Sequence, residues 1–162
     1  MFVNHGGGPL PLLGQQPSLV QNMKDIVQKY LPTAPKAIVV LSAHWESNPI
    51  QITSAERPSM YYDYYGFPPE TYKYQYPAPG SPDLARRIQN LLTQQGLKSE
   101  LDDSRGFDHG VFIPLMMLYR KDGVGVRTYS TRALGAASVH FYFGRKVLFA
   151  PTTALCRRFA YK

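Results

Sequence analysis

Apolar positions along the chain follow two rhythms, and the changes between them sketch a fold. Leu19, Val20, Met23, Ile26, Val27, Tyr30 and Leu31 recur at helical spacing, with Ser18 as candidate N-cap and Pro32 as stop. Residues 37–43, Ala-Ile-Val-Val-Leu-Ser-Ala, are short, β-branched and almost wholly apolar, as in a strand buried on both faces. Ile50-Gln51-Ile52-Thr53 alternates as a further strand. Ser81-Pro82-Asp83 opens a second helix, with proline in its first position and an acid in its first turn. Leu84, Ile88, Leu91 and Leu92 form its apolar stripe, and Gly96 ends it. Lys98-Ser99-Glu100-Leu101 reads as a short strand, and residues 111–119 as a buried helix with Pro114 near its start. Beyond Tyr119 the rhythm weakens to candidate strands at 127–129, 139–143 and 147–149, with no capped helix.

The chain begins Phe2-Val3-Asn4-His5-Gly6-Gly7-Gly8-Pro9, an apolar run that ends in a histidine and three glycines. Glycine tolerates positive φ and close approach to bare backbone. The stretch therefore reads either as a strand presenting an imidazole at its carboxyl end or as a glycine-rich turn with an incidental histidine. Strand, helix and strand over residues 2–43 outline a βαβ unit, which would place His5 and His44 at one edge of a parallel sheet. The predicted fold class is α/β, a central and mostly parallel sheet flanked by helices. Residues 55–80 form a long connection dense in tyrosine and proline. It reads as the wall of an aromatic-substrate pocket, or as rings packed on the domain or on a second subunit.

Charge divides the chain. Residues 1–119 carry nine basic and ten acidic side chains, whereas residues 120–162 carry nine basic and one acidic. The overall charge of +7 thus belongs to the terminal segment, which makes nucleic acid an unlikely partner for the rest. No run reaches the ~18 apolar residues of a membrane span. The start of the chain lacks the basic and apolar regions of a secretory signal, and a single cysteine, Cys156, fits a reducing compartment. The expectation is a cytoplasmic protein with no membrane partner.

Three of the four histidines, His5, His44 and His109, follow or flank apolar segments in polar or glycine-bearing stretches; His140 is the fourth. Imidazoles at strand ends suit iron, zinc or copper, although no local metal-binding spacing is present. His-Gly-Gly-Gly also occurs in the oxyanion loops of lipase-type hydrolases, but the chain has no Gly-x-Ser-x-Gly elbow. It has no Walker A loop and no Gly-x-Gly-x-x-Gly either, which excludes those nucleotide-binding readings.

Five blocks occur together in one order: Asn4-His5-Gly6-Gly7-Gly8-Pro9, Leu41-Ser42-Ala43-His44-Trp45-Glu46, Tyr64-Tyr65-Gly66-Phe67-Pro68, Tyr76-Pro77-Ala78-Pro79-Gly80-Ser81 and residues 106–115 around Asp108-His109-Gly110. In this combination the chain resembles the class III extradiol ring-cleavage dioxygenases (LigB-like), in particular their 4,5-DOPA dioxygenase-like branch. The resemblance implies an α/β domain with a non-haem Fe(II) or Zn(II) ion, and a catechol and O2 as substrates. It implies that His5 and His44 are metal ligands and that His109 is a catalytic histidine near dioxygen or substrate. Tyr64, Tyr65 and Phe67 are the candidate substrate wall, since aromatic rings stack on a planar diol.

The resemblance is expected to cover about residues 2–119, a dioxygenase-like catalytic domain, leaving residues 120–162 as a divergent, irregular basic tail. The family's later metal ligand and acid/base histidine find no match there. His140, in Ser138-Val139-His140-Phe141, follows His109 too soon and lacks a following Asn. The sequence therefore predicts an incomplete fold with weak metal retention and doubtful activity. The alternative is a catalytically defective splice-variant or truncated form that acts by association with another subunit; homo-oligomers are possible under either reading.

Overall fold

A computed structural model describes residues 3–30, 37–119 and 138–140. It contains three α-helices, α1 (Pro17–Tyr30), α2 (Pro82–Gln94) and α3 (His109–Tyr119), and four strands, β1 (Ile38–Val40), β2 (Ile50–Thr53), β3 (Ser99–Asp102) and β4 (Ser138–His140). Every strand pairing among the described residues is parallel: β1 with β4, and β2 with β3. This is the α/β class expected from the sequence.

Helix α3 is the centre. Its sequence, His-Gly-Val-Phe-Ile-Pro-Leu-Met-Met-Leu-Tyr, has no polar stripe, and every residue but Gly110 is buried. A helix that is apolar all round must be covered all round. Val20 and Met23 of α1 cover one flank, with Phe107 and Tyr64 completing the cluster. Pro114 lies inside the helix, where it offers no N–H to the Gly110 carbonyl one turn earlier, so the burial of its neighbours has to offset a missing helix bond.

A second, smaller core lies between α2 and the β2–β3 pair. Ile88 and Leu92 of the predicted stripe pack with Ile52 and with Ala85, which the stripe did not include, and Leu84 lies partly buried against them. Ser81 caps α2 as expected, its Oγ accepting the Leu84 N–H at 3.2 Å, and Gly96 takes the positive φ of 73° that ends the helix.

Four expectations change. The βαβ unit lies elsewhere: the parallel pair joined through a helix is β2–α2–β3, paired from Ile50↔Ser99 to Thr53↔Asp102. Residues 3–6 form no strand, so His5 stands in a loop. Ser18 lies inside α1, because Pro17 takes the first helical position, for which its fixed φ suits it. The strand predicted over 37–43 shortens to three residues, and Val39 and Leu41 are exposed rather than buried.

The long aromatic connection is ordered by its own hydrogen bonds. It contains a short 3-10 helix, Pro69–Lys73. The Tyr64 hydroxyl donates to the Thr71 carbonyl at 2.6 Å and the Tyr62 hydroxyl to the Tyr74 carbonyl. Gly106 and Gly80 stitch it down: a Cβ on either would stand 2.4 Å from Ser59 O or 1.9 Å from Ala55 O. Backbone bonds Phe107 N–H to Ser59 O and Tyr61 N–H to Phe107 O, both 2.8 Å, run through this contact.

The helix stop at Pro32, the start at Phe2, the candidate strands at 127–129 and 147–149, residues 141–143 and Cys156 lie outside the described residues. The strand expected around Val139 and His140 is present as β4, in register with β1 at Val40↔His140.

Replacing Phe112, which is fully buried and rings against Tyr62 and Tyr64, with alanine is expected to destabilise the chain by about 3–5 kcal/mol. A lowered urea midpoint with unchanged slope measures this.

Candidate metal centre

Three separate segments converge on one point. The glycine loop delivers His5. The stretch after β1 delivers His44. The first residue of α3 is His109, which the sequence placed in a loop; the helix begins two residues earlier than its apolar run, and the Asp108 carbonyl accepts the Val111 and Phe112 N–H groups, each at 2.9 Å. The ring centroids lie 4.6 Å apart for His5 and His44, 4.9 Å for His5 and His109, and 4.0 Å for His44 and His109. The two Nε2 atoms of His5 and His44 stand 2.8 Å apart. One ligand nitrogen from each of the three rings falls within 4.8 Å of the others.

The backbone makes this possible. Gly6 and Gly8 take φ of 77° and 55°, turning the chain so that His5 leaves its own loop and reaches His44. The Asn4 side chain holds this turn by accepting the Gly6 N–H at 2.8 Å. Around His44, the Ser42 hydroxyl accepts the His44 N–H at 3.1 Å and donates to Asp108 Oδ1 at 2.7 Å. That pair ties the end of β1 to the start of α3, and so one histidine to another. Arg105 completes the tie, its Nη2 3.5 Å from Asp108 Oδ2 and 3.4 Å from the His44 carbonyl. Its guanidinium stacks 4.2 Å over Tyr61 and 5.3 Å over the buried Trp45.

Electrostatics favour neutral imidazoles. Burial, together with the neighbouring rings, lowers the pKa of His5; burial, together with His109, lowers that of His44. Asp63 lies beneath the cluster, its Oδ1 2.8 Å from both the backbone N and the Nδ1 of His109, its Oδ2 4.0 Å from His44 Nδ1. Burial opposes its ionisation, but the His109 hydrogen bonds outweigh that and hold its carboxyl below the usual range. Burial, against the Ser42 hydrogen bond, moves Asp108 the other way, upward.

The donor set fits a divalent transition metal. Neutral imidazoles are borderline donors suited to iron or zinc. The Nδ1 of His5 is buried without a hydrogen-bond partner. The Nε2 atoms of His5 and His44 lie close enough for one ring to donate to the other, and close enough for both to face one ion beside them.

Of the candidate wall, Tyr64 is buried with its ring 5.9 Å from that of His109, and Phe67 stacks edge-on to Tyr64 at 5.5 Å. Tyr65 is 90% exposed and stands outside this packing. His140 is described only by its place on β4. A hollow of about 370 Å³ lined by Asn4, Gly6 and residues 15–19 adjoins the glycine loop, but none of the three histidines lines it.

Sequence reasoning missed Asp63, Ser42, Asp108 and Arg105. Ser42 and Asp108 stood two and one positions from the histidines they support, a proximity that could have flagged them. Asp63 was hidden among tyrosines.

The sequence model of the family described as the catalytic LigB subunit of aromatic ring-opening dioxygenase matches residues 13–148. The chain belongs to this family. The match extends past Tyr119, where the sequence reading ended the resemblance, to residue 148. The chain is 36% identical over 151 residues to the dioxygenase tasH of Hapsidospora irregularis, covering 88% of this chain and 47% of that protein. It is 36% identical to the 4,5-DOPA dioxygenase extradiol of Beta vulgaris over 89% of this chain and 54% of that one. Against the Escherichia coli enzyme of the same name the figures are 36%, 91% and 52%. The chain thus spans about half the length of the curated relatives it matches. No helix among the described residues is long and apolar enough to cross a membrane.

A Cβ on Gly110 would lie 2.6 Å from Cδ2 of His44 and 3.0 Å from Ser42 Oγ. The same Cβ presses on the Ser42–Asp108 hydrogen bond, so Gly110→Ala disturbs both the His44 ring and the tie beneath it. It is expected to weaken Zn(II) binding at least tenfold with helical circular dichroism retained, as isothermal titration and circular dichroism would show.

Proposed function

We propose that this LigB-family chain carries the metal-binding half of an aromatic ring-opening dioxygenase site that takes a catechol-type diol and O2. The convergence of His5, His44 and His109 supports this reading. His5 and His44 would hold a divalent ion, Fe(II) or Zn(II), through their facing Nε2 atoms. Bound there, iron would supply the electron transfer between diol and dioxygen that spin-paired organic groups cannot supply alone.

The chain's own residues do the rest. Burial keeps His5 and His44 neutral, so their lone pairs are free near neutral pH. His109, on the N-terminal turn of a buried helix, would take a proton from a diol hydroxyl and return it during ring opening. Tyr64 and Phe67 give that side an aromatic boundary for a planar ring. DOPA is the first diol to try, because several relatives carry the name 4,5-DOPA dioxygenase extradiol.

Stoichiometric Fe(II) binding, with oxygen uptake on DOPA or protocatechuate and a yellow ring-opened product, is the expected result. His44→Ala is expected to weaken metal binding more than the ~10–100-fold loss typical of supporting residues and to abolish uptake. Metal binding without uptake on any diol would favour the non-catalytic reading. Failure of the wild-type chain to bind Fe(II) or Zn(II) would remove the dioxygenase reading for this chain.

A further inference from the structure

The aromatic connection carries one carboxylate that the histidine chemistry does not itself explain. We propose that Asp63 is the positioning residue of the centre, fixing His109 as the tautomer protonated on Nδ1 so that Nε2 carries the lone pair.

The geometry is specific. Asp63 Oδ1 lies 2.8 Å from the backbone nitrogen of His109 and 2.8 Å from Nδ1 of the same residue. A backbone N–H can only donate, which makes Oδ1 an acceptor. The second bond to that oxygen then draws the ring proton onto Nδ1 and leaves Nε2 bare. An imidazole in the opposite tautomer would set a nitrogen lone pair against the oxygen at hydrogen-bonding distance.

Asp63 is also held in place. Its neighbours Tyr62 and Tyr64 are anchored through their hydroxyls to the Tyr74 and Thr71 carbonyls, and both rings pack against Phe112 of α3. The carboxylate is thus delivered by a braced segment to the first residue of the helix that segment covers. Its other oxygen stands 4.0 Å from His44 Nδ1, beyond hydrogen-bond reach, so His109 is the ring that Asp63 holds by hydrogen bonding. Support of this kind fixes the tautomer and direction of imidazoles that bind metals or move protons. The consequence for catalysis rests on the ring-opening reading; the tautomer does not.

Nitrogen-15 labelling of histidine separates the two. Long-range proton–nitrogen spectra of the metal-free wild-type chain at neutral pH should show His109 as a single Nδ1–H tautomer. Asp63→Ala should shift its nitrogens toward the Nε2–H form preferred by free imidazole. The same variant should bind Co(II) about 10–100-fold more weakly, with helical circular dichroism retained. A wild-type His109 protonated on Nε2 would overturn the proposal, and this arm does not depend on how the variant folds. Unchanged nitrogen shifts or unchanged Co(II) affinity in Asp63→Ala would also overturn it. Absence of oxygen uptake with the predicted tautomer present would count against the dioxygenase reading alone.

Discussion

An eleven-residue helix without a polar face persists in water only if every side of it is covered, and that requirement organises this chain. Helix α3 runs from His109 to Tyr119, and ten of its eleven residues are buried. The apolar face of α1 and the aromatic connection close over it. Burial of this kind is the main favourable term in folding, and it is indifferent to direction. The covering segments come from far apart in the sequence, so their ends meet where the helix begins. The histidine site stands at that meeting point.

Polar bonds at the helix start then turn a general collapse into a defined geometry. Asp108 and Ser42 join α3 to the end of β1, and Asp63 joins it to the aromatic connection. Each bond is buried or half-buried, where an unmade partner is costly, so each one selects a single arrangement of the chain. Arg105, sandwiched by Tyr61 and Trp45, adds a cation close to Asp108. The imidazoles are thereby crowded into partly dry surroundings, and crowding and dryness together disfavour their charged forms.

This arrangement separates the two roles of the tyrosine-rich stretch. Tyr62 and Tyr64 are structural posts whose hydroxyls brace the loop, and Tyr64 also faces His109. The packing reading of the stretch therefore holds for Tyr62 and Tyr64. Tyr65 is exposed and takes no part in this bracing.

Local signals in the sequence determined local structure. The Ser81 cap, the strand at Ile50–Thr53 and the Ile88 and Leu92 positions of the α2 stripe rest on signals that act over a few residues, and these formed as read. The histidines were also legible, because glycine and polar neighbours set them apart from the core and five ordered blocks tied them to one family. Tertiary structure alone decided which strands paired, and it moved the βαβ unit from α1 to α2, since strand partners are chosen by packing across long sequence separations. It likewise shortened the strand at 37–43 and extended α3 back to His109, because coverage by other segments fixes where an element stops. Asp63 was invisible for the same reason: it lies 46 positions from the histidine it holds, and no periodicity in the chain encodes that contact.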